Sequence, residues 1–87
     1  MNNYTFTKNG TTFERITKAT AKKLYNSGVA VYLMPANANP FFVGFSYPYA
    51  TSTATNDGMT FDACVNAFEY YNCNAEMGKY TAFFKAI

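Results

Sequence analysis

Cys64 and Cys73 are the strongest nucleophiles in this 87-residue chain, and neither can be activated by histidine, because the sequence contains none. A thiol nucleophile needs a neighbouring base, and two cysteines without histidine do not complete a zinc site. Of the five carboxylates, only Asp62 and Glu69 share a predicted helix. Both fall on its outer side, where solvated charge is the ordinary arrangement. Glycines occur singly, so neither a Walker loop nor a dinucleotide fingerprint is present. No catalytic residue, metal or cofactor is expected, and the chain reads as a binding protein rather than an enzyme.

Binding has more to work with. Nine Phe and eight Tyr supply an aromatic fifth of the sequence. That is more ring area than one small core uses, and more hydroxyls than it satisfies. Three sets of residues stand out. Tyr4, Phe6 and Phe13 share one hairpin face with Lys8 and Arg15, a candidate nucleic-acid face in which rings stack on bases and cations meet phosphates. Tyr70 on an outer helix face, with Tyr47 and Tyr49 around Pro48, forms a candidate protein-binding set, since exposed tyrosines are enriched at interface hot spots. Lys18, Lys22 and Lys23 make a basic surface. The first 35 residues set five cations against Glu14, for +4, while the remainder is −2, within an overall +2. The ordinary alternative for each set is plain: an aromatic sheet face packed as core, and lysines as the wet side of a helix.

The elements that must position these residues follow from pattern. Asn9-Gly10 between alternating runs predicts a hairpin with a type I′ turn, placing Phe6 opposite Phe13 and Tyr4 opposite Arg15. Thr17 is a helix N-cap, the helix running through Asn26 with Gly28 at its end and Ala21, Leu24 and Tyr25 inward. A buried strand is predicted from Val29 to Met34, closed by Pro35, and another over 41–47, stopped by Pro48. The stretch 49–58 reads as a loop. Thr60 caps a second helix with Phe61, Cys64, Val65, Phe68 and Tyr71 inward, and Lys79 to Lys85 form the last strand. The order is ββαββαβ: a single α+β domain over 1–87, a mainly antiparallel sheet with two helices on one face. Without its first strand this is the ferredoxin-like order.

Apolar runs too short to span a bilayer and a start without a signal core point to a cytoplasmic protein. Nine positions separate the cysteines on one helix, which puts them on opposite faces. Reduced thiols are expected, with Cys64 in the core and Cys73 near the surface.

Two stretches carry a resemblance. One runs Ile16-Thr17-Lys18, Ala21-Lys22-Lys23-Leu24-Tyr25, Gly28, Val31-Tyr32-Leu33 and Pro35. The other runs from Asn66 to Asn74, with Gly78-Lys79-Tyr80. Together they resemble small uncharacterised accessory proteins of phages and mobile elements in Gram-positive bacteria. The resemblance covers about half the chain and includes no catalytic motif. It implies a non-catalytic interaction protein that inhibits a host protein or defence complex, as an anti-CRISPR does. The residues themselves also leave open a small single-stranded nucleic-acid-binding domain, and a ligand-sequestering protein that would need an oligomer to build its pocket.

Overall fold

Asn9 and Gly10 both take positive φ, 53° and 82°, the pair of left-handed residues that a type I′ turn requires. They join β1 (Thr5–Lys8) to β2 (Thr11–Ile16) in the expected register, Phe6 opposite Phe13 and Lys8 opposite Thr11. On the polar side Thr7 and Thr12 share a hydroxyl hydrogen bond of 2.8 Å. The computed structural model describes residues 4–41, 47–51, 60–75 and 78–87.

Helix α1 (Lys18–Asn26) starts at Thr17, whose hydroxyl accepts from the Thr20 amide at 3.2 Å. It ends in a Schellman arrangement: Gly28 N donates to Tyr25 O and Val29 N to Leu24 O. That cap uses Val29, which is therefore exposed, and the next strand starts later than the apolar run suggested: β3 covers Tyr32–Pro35. The central part of the strand expected over 41–47, residues 42–46, lies outside the described residues. The strand that is described, β4 (Tyr49–Ala50), lies beyond Pro48 and pairs with Tyr32 and Leu33. Helix α2 (Phe61–Asn72) is capped by Thr60, and β5 (Thr81–Ala86) closes the chain.

The ββαββαβ order and the α+β class are as expected. The sheet is antiparallel throughout, in the order β1-β2-β5-β3-β4. This differs from the ferredoxin-like arrangement, in which the strand before the first helix pairs with both the third and the last strand of the βαββαβ unit. Here one edge of β2 is already occupied by β1 through the Asn9-Gly10 hairpin, so β2 has room for β5 alone. β3 then takes the other edge of β5. The central strand is accordingly the most buried, with Thr81, Ala82, Phe83 and Phe84 all inside.

Because β5 is central, its alternating side chains feed two cores. Phe83 faces the helices, its ring 5.8 Å from Phe61 of α2, which in turn meets Tyr25 of α1 at 5.7 Å. Phe84 faces the other way, into a cluster with Phe6 (5.3 Å) and Tyr4 (6.3 Å), while Phe13 packs on Tyr32 at 4.9 Å. The described ends of the β3–β4 connection bracket this second face. The Phe41 ring stands edge-on to Phe6 at 5.8 Å, and Lys8 Nζ donates to Tyr47 O at 2.7 Å.

Gly78 closes the turn before β5, bridged to Asn74, at φ 106°. A Cβ there would lie 2.9 Å from Asn37 N and 3.1 Å from Ala36 N, whereas one at Gly10 would meet nothing within 4 Å. Gly10→Ala should thus cost only the backbone penalty, about 1 kcal/mol, and Gly78→Ala distinctly more, since backbone must also move. Urea denaturation of both variants checks this; equal losses would contradict the close approach.

Candidate functional site

Helix α2 buries Phe61, Val65 and Phe68, a stripe that Asn72 continues on the same side. The Asn72 amide donates to Phe68 O at 3.1 Å, and its carbonyl oxygen accepts from the Tyr47 hydroxyl at 3.5 Å. Tyr71 was expected to complete the stripe but lies about 90° from its centre by helical geometry. It is 80% exposed, beside Tyr70 at 82%. The two rings form an edge-to-face pair with centroids 4.9 Å apart. Tyr80, just before β5, is 75% exposed.

The far end of α2 is fastened to the start of β5, so the backbone that carries these tyrosines is fixed. The Glu69 carboxylate accepts from both the amide and the hydroxyl of Thr81 at 3.2 Å. Cys73, expected near the surface, instead turns back against the core as the C-cap, its Sγ 3.9 Å from Thr81 Oγ1. Cys64 is half-buried on the helix flank, and neither cysteine is in a disulfide.

Burial raises the pKa of the Cys73 thiol, opposed by the Thr81 hydroxyl and reinforced by the Glu69 charge. Burial also raises that of the Tyr47 phenol, with Tyr49 and Cys73 adding to it. A group whose pKa is higher folded than unfolded keeps its proton longer in the folded state, so stability is complete below the unfolded value and falls as pH rises past it. Thermal stability should therefore decline as pH climbs beyond the ordinary thiol value of 9.0. The Cys73→Ala, Tyr47→Phe double variant should flatten that decline. An unchanged alkaline slope in the double variant would show that other groups govern it.

The structure redistributes the residues singled out by sequence. Tyr70 is on the surface as expected. Tyr47 is not: at 2% exposure, with its ring against Tyr49 and Phe68, it is core, and Tyr49 is half-buried beside it. Neither can anchor a partner as Tyr70 can. Phe6 and Phe13, 8% and 7% exposed, cannot stack on bases, and Lys8 is engaged by the Tyr47 carbonyl. The nucleic-acid face is thereby reduced to Tyr4 and Arg15, both exposed and held side by side by the Arg15 N to Tyr4 O bond. Lys18, Lys22 and Lys23 are exposed, with Lys22 3.7 Å from Asp62 across the two helices. That pair is solvated and contributes little.

Tyr71 and Tyr80 were missed as surface residues. A stripe centred on Phe61, Val65 and Phe68 alone, extended to Asn72, would have placed Tyr71 on the flank. Among the described residues no group of three metal-ligating side chains comes together, and no helix is long and apolar enough to cross a membrane. No family model, curated protein or solved structure matches this chain.

Proposed function

We propose that this is a non-catalytic interaction protein of a phage or mobile element. It acts in the host cytoplasm and inhibits a host protein or defence complex in the manner of an anti-CRISPR. The carrying observation is the Tyr70–Tyr71 pair: adjacent rings, each about four-fifths exposed, on a helix end anchored by Glu69 to β5. Tyrosine has few rotamers to lose on binding and offers apolar area with a polar tip, which suits an interface centre. Tyr80, 75% exposed, is a third exposed tyrosine, next in sequence to the Thr81 that Glu69 holds. The mobile-element setting rests on the resemblance of 16–35 and 66–80 alone.

Affinity capture from host cells tests the reading when wild type is compared with a Tyr70→Ala, Tyr71→Ala variant. A partner held by the first and lost by the second is expected. In cells bearing the targeted defence system, only wild type should restore phage plating. Identical capture profiles would contradict the proposal.

The basic surface should act differently from the rings. Gln at Lys18, Lys22 and Lys23 is expected to slow association and flatten its salt dependence while leaving dissociation nearly unchanged. Stopped-flow or surface-plasmon kinetics at two ionic strengths read this directly; a changed dissociation rate with unchanged association would assign the lysines to the contact itself.

A further inference from the structure

β2 ends at Ile16, opposite Phe83, and the chain turns at Thr17 into α1. Ala82, the next residue back along β5, therefore has a strand neighbour only on the β3 side, where Met34 stands opposite it. On the sheet face away from the helices this leaves a pocket of about 220 Å³. Ala82, Met34 and Phe84 line it from the sheet, with Tyr4 and Arg15 on one side and the turn after β3 on the other. Register puts the five side chains on one face. Arg15 is directly opposite Phe84, whose ring meets that of Tyr4 at 6.3 Å, and Ala82 lies two residues from Phe84 on the same strand. The walls are fixed before any ligand arrives, which lowers the cost of binding. The Tyr4 ring also rests on Phe6 at 5.9 Å, and Arg15 N donates to Tyr4 O at 2.8 Å. Across the pocket, Ala38 N donates to Pro35 O at 3.0 Å and Ala36 N to Tyr80 O at 2.8 Å.

Arg15 is exposed, and among the described residues no carboxylate pairs with it: Glu14 meets Lys85, Asp62 meets Lys22 and Glu69 accepts from Thr81. A guanidinium presents a planar fork that a carboxylate matches with two parallel hydrogen bonds. A phosphate monoester would bring nearly two charges against this one cation. Above a floor of buried apolar side chains the second charge would go uncompensated. Size narrows the rest of the ligand. An apolar cavity of about 150 Å³ takes a benzene ring, and pockets for drug-sized molecules start near 300 Å³. The space beside Arg15 thus suits one ring with a short substituent, and the half-exposed Tyr4 offers that ring an aromatic wall. We infer that this pocket binds a small aryl carboxylate, with the carboxylate on Arg15 and the ring against Tyr4. The site shares no lining residue with the Tyr70–Tyr71 surface and does not depend on it.

Amide-shift titrations of isotope-labelled protein test this with hydrocinnamate, its uncharged amide hydrocinnamamide, and propionate, which lacks the ring. Hydrocinnamate should shift the amides of Tyr4, Arg15, Asn37 and Ala82 saturably, with a Kd of about 1 mM or tighter. The amide and propionate should each bind at least about tenfold more weakly. Arg15→Gln should weaken hydrocinnamate about tenfold and abolish the preference for acid over amide. Tyr4→Leu should weaken hydrocinnamate and leave propionate as it was. Each variant's spectrum reports whether it is folded, and the comparison of acid with amide in wild type needs no variant. A short peptide ending in Phe with a free carboxylate distinguishes the source. Tighter binding than hydrocinnamate, lost when the terminus is amidated, points to a chain end; binding no tighter points to a free aromatic acid. Absence of saturable shifts with both hydrocinnamate and the peptide, shifts confined elsewhere, acid and amide binding alike in wild type, or folded variants that bind as wild type would overturn the inference.

Discussion

Phe84→Ala should destabilise the protein by about 3–5 kcal/mol, as much as Phe83→Ala on the opposite side of the same strand. Phe84 is almost fully buried, directly opposite Tyr32 on β3, and its ring meets Tyr4 and Phe6. Among the described residues no helix covers that face; Phe41 and the Lys8–Tyr47 tether bracket it. The equality matters because a one-sided sheet would make the two substitutions very different. For a small domain with ~5–15 kcal/mol in total, either loss is severe. Denaturant unfolding checks both. A cost below about 1 kcal/mol for Phe84→Ala would mean that the second face is a solvated surface rather than a core.

That second core explains which parts of the architecture were legible. The Asn9-Gly10 turn, the Thr17 and Thr60 caps and the Gly28 stop are local chemistry, and each stands where its residues demand. Strand order is not local. That β5 lies between β2 and β3 depends on the hairpin occupying one edge of β2, a competition between distant segments that no periodicity records. Tyr49 and Ala50, which read as the start of a loop, pair with β3 for a similar reason: their partner is distant in sequence.

Legibility of the candidate site followed the same division. Tyr70 could be placed outside because helical phase alone decides it. Tyr71 could not, since its exposure depends on Asn72 rather than Tyr71 continuing the buried stripe toward Tyr47. Phe6 and Phe13 were correctly put on one face with Tyr4 and Arg15. What covers that face is a matter of tertiary packing, and only Tyr4 and Arg15 remain open at its rim.

The Tyr70–Tyr71 pair should carry most of the affinity for a partner. Each truncation of a central tyrosine is expected to weaken binding by about 2 kcal/mol, roughly 30-fold, mainly through faster dissociation. The two rings touch, so the double variant should lose less than the sum of the single losses. Folding should be unaffected, since exposed positions change stability by only about 0.5 kcal/mol. The most direct test is the dissociation rate of the captured host complex from wild type and from the Tyr70→Ala, Tyr71→Ala variant, both verified as folded. A rate faster by at least about a hundredfold in the variant is the expected result. An unchanged rate would show that the partner is held elsewhere, and that the exposed pair is not the binding surface.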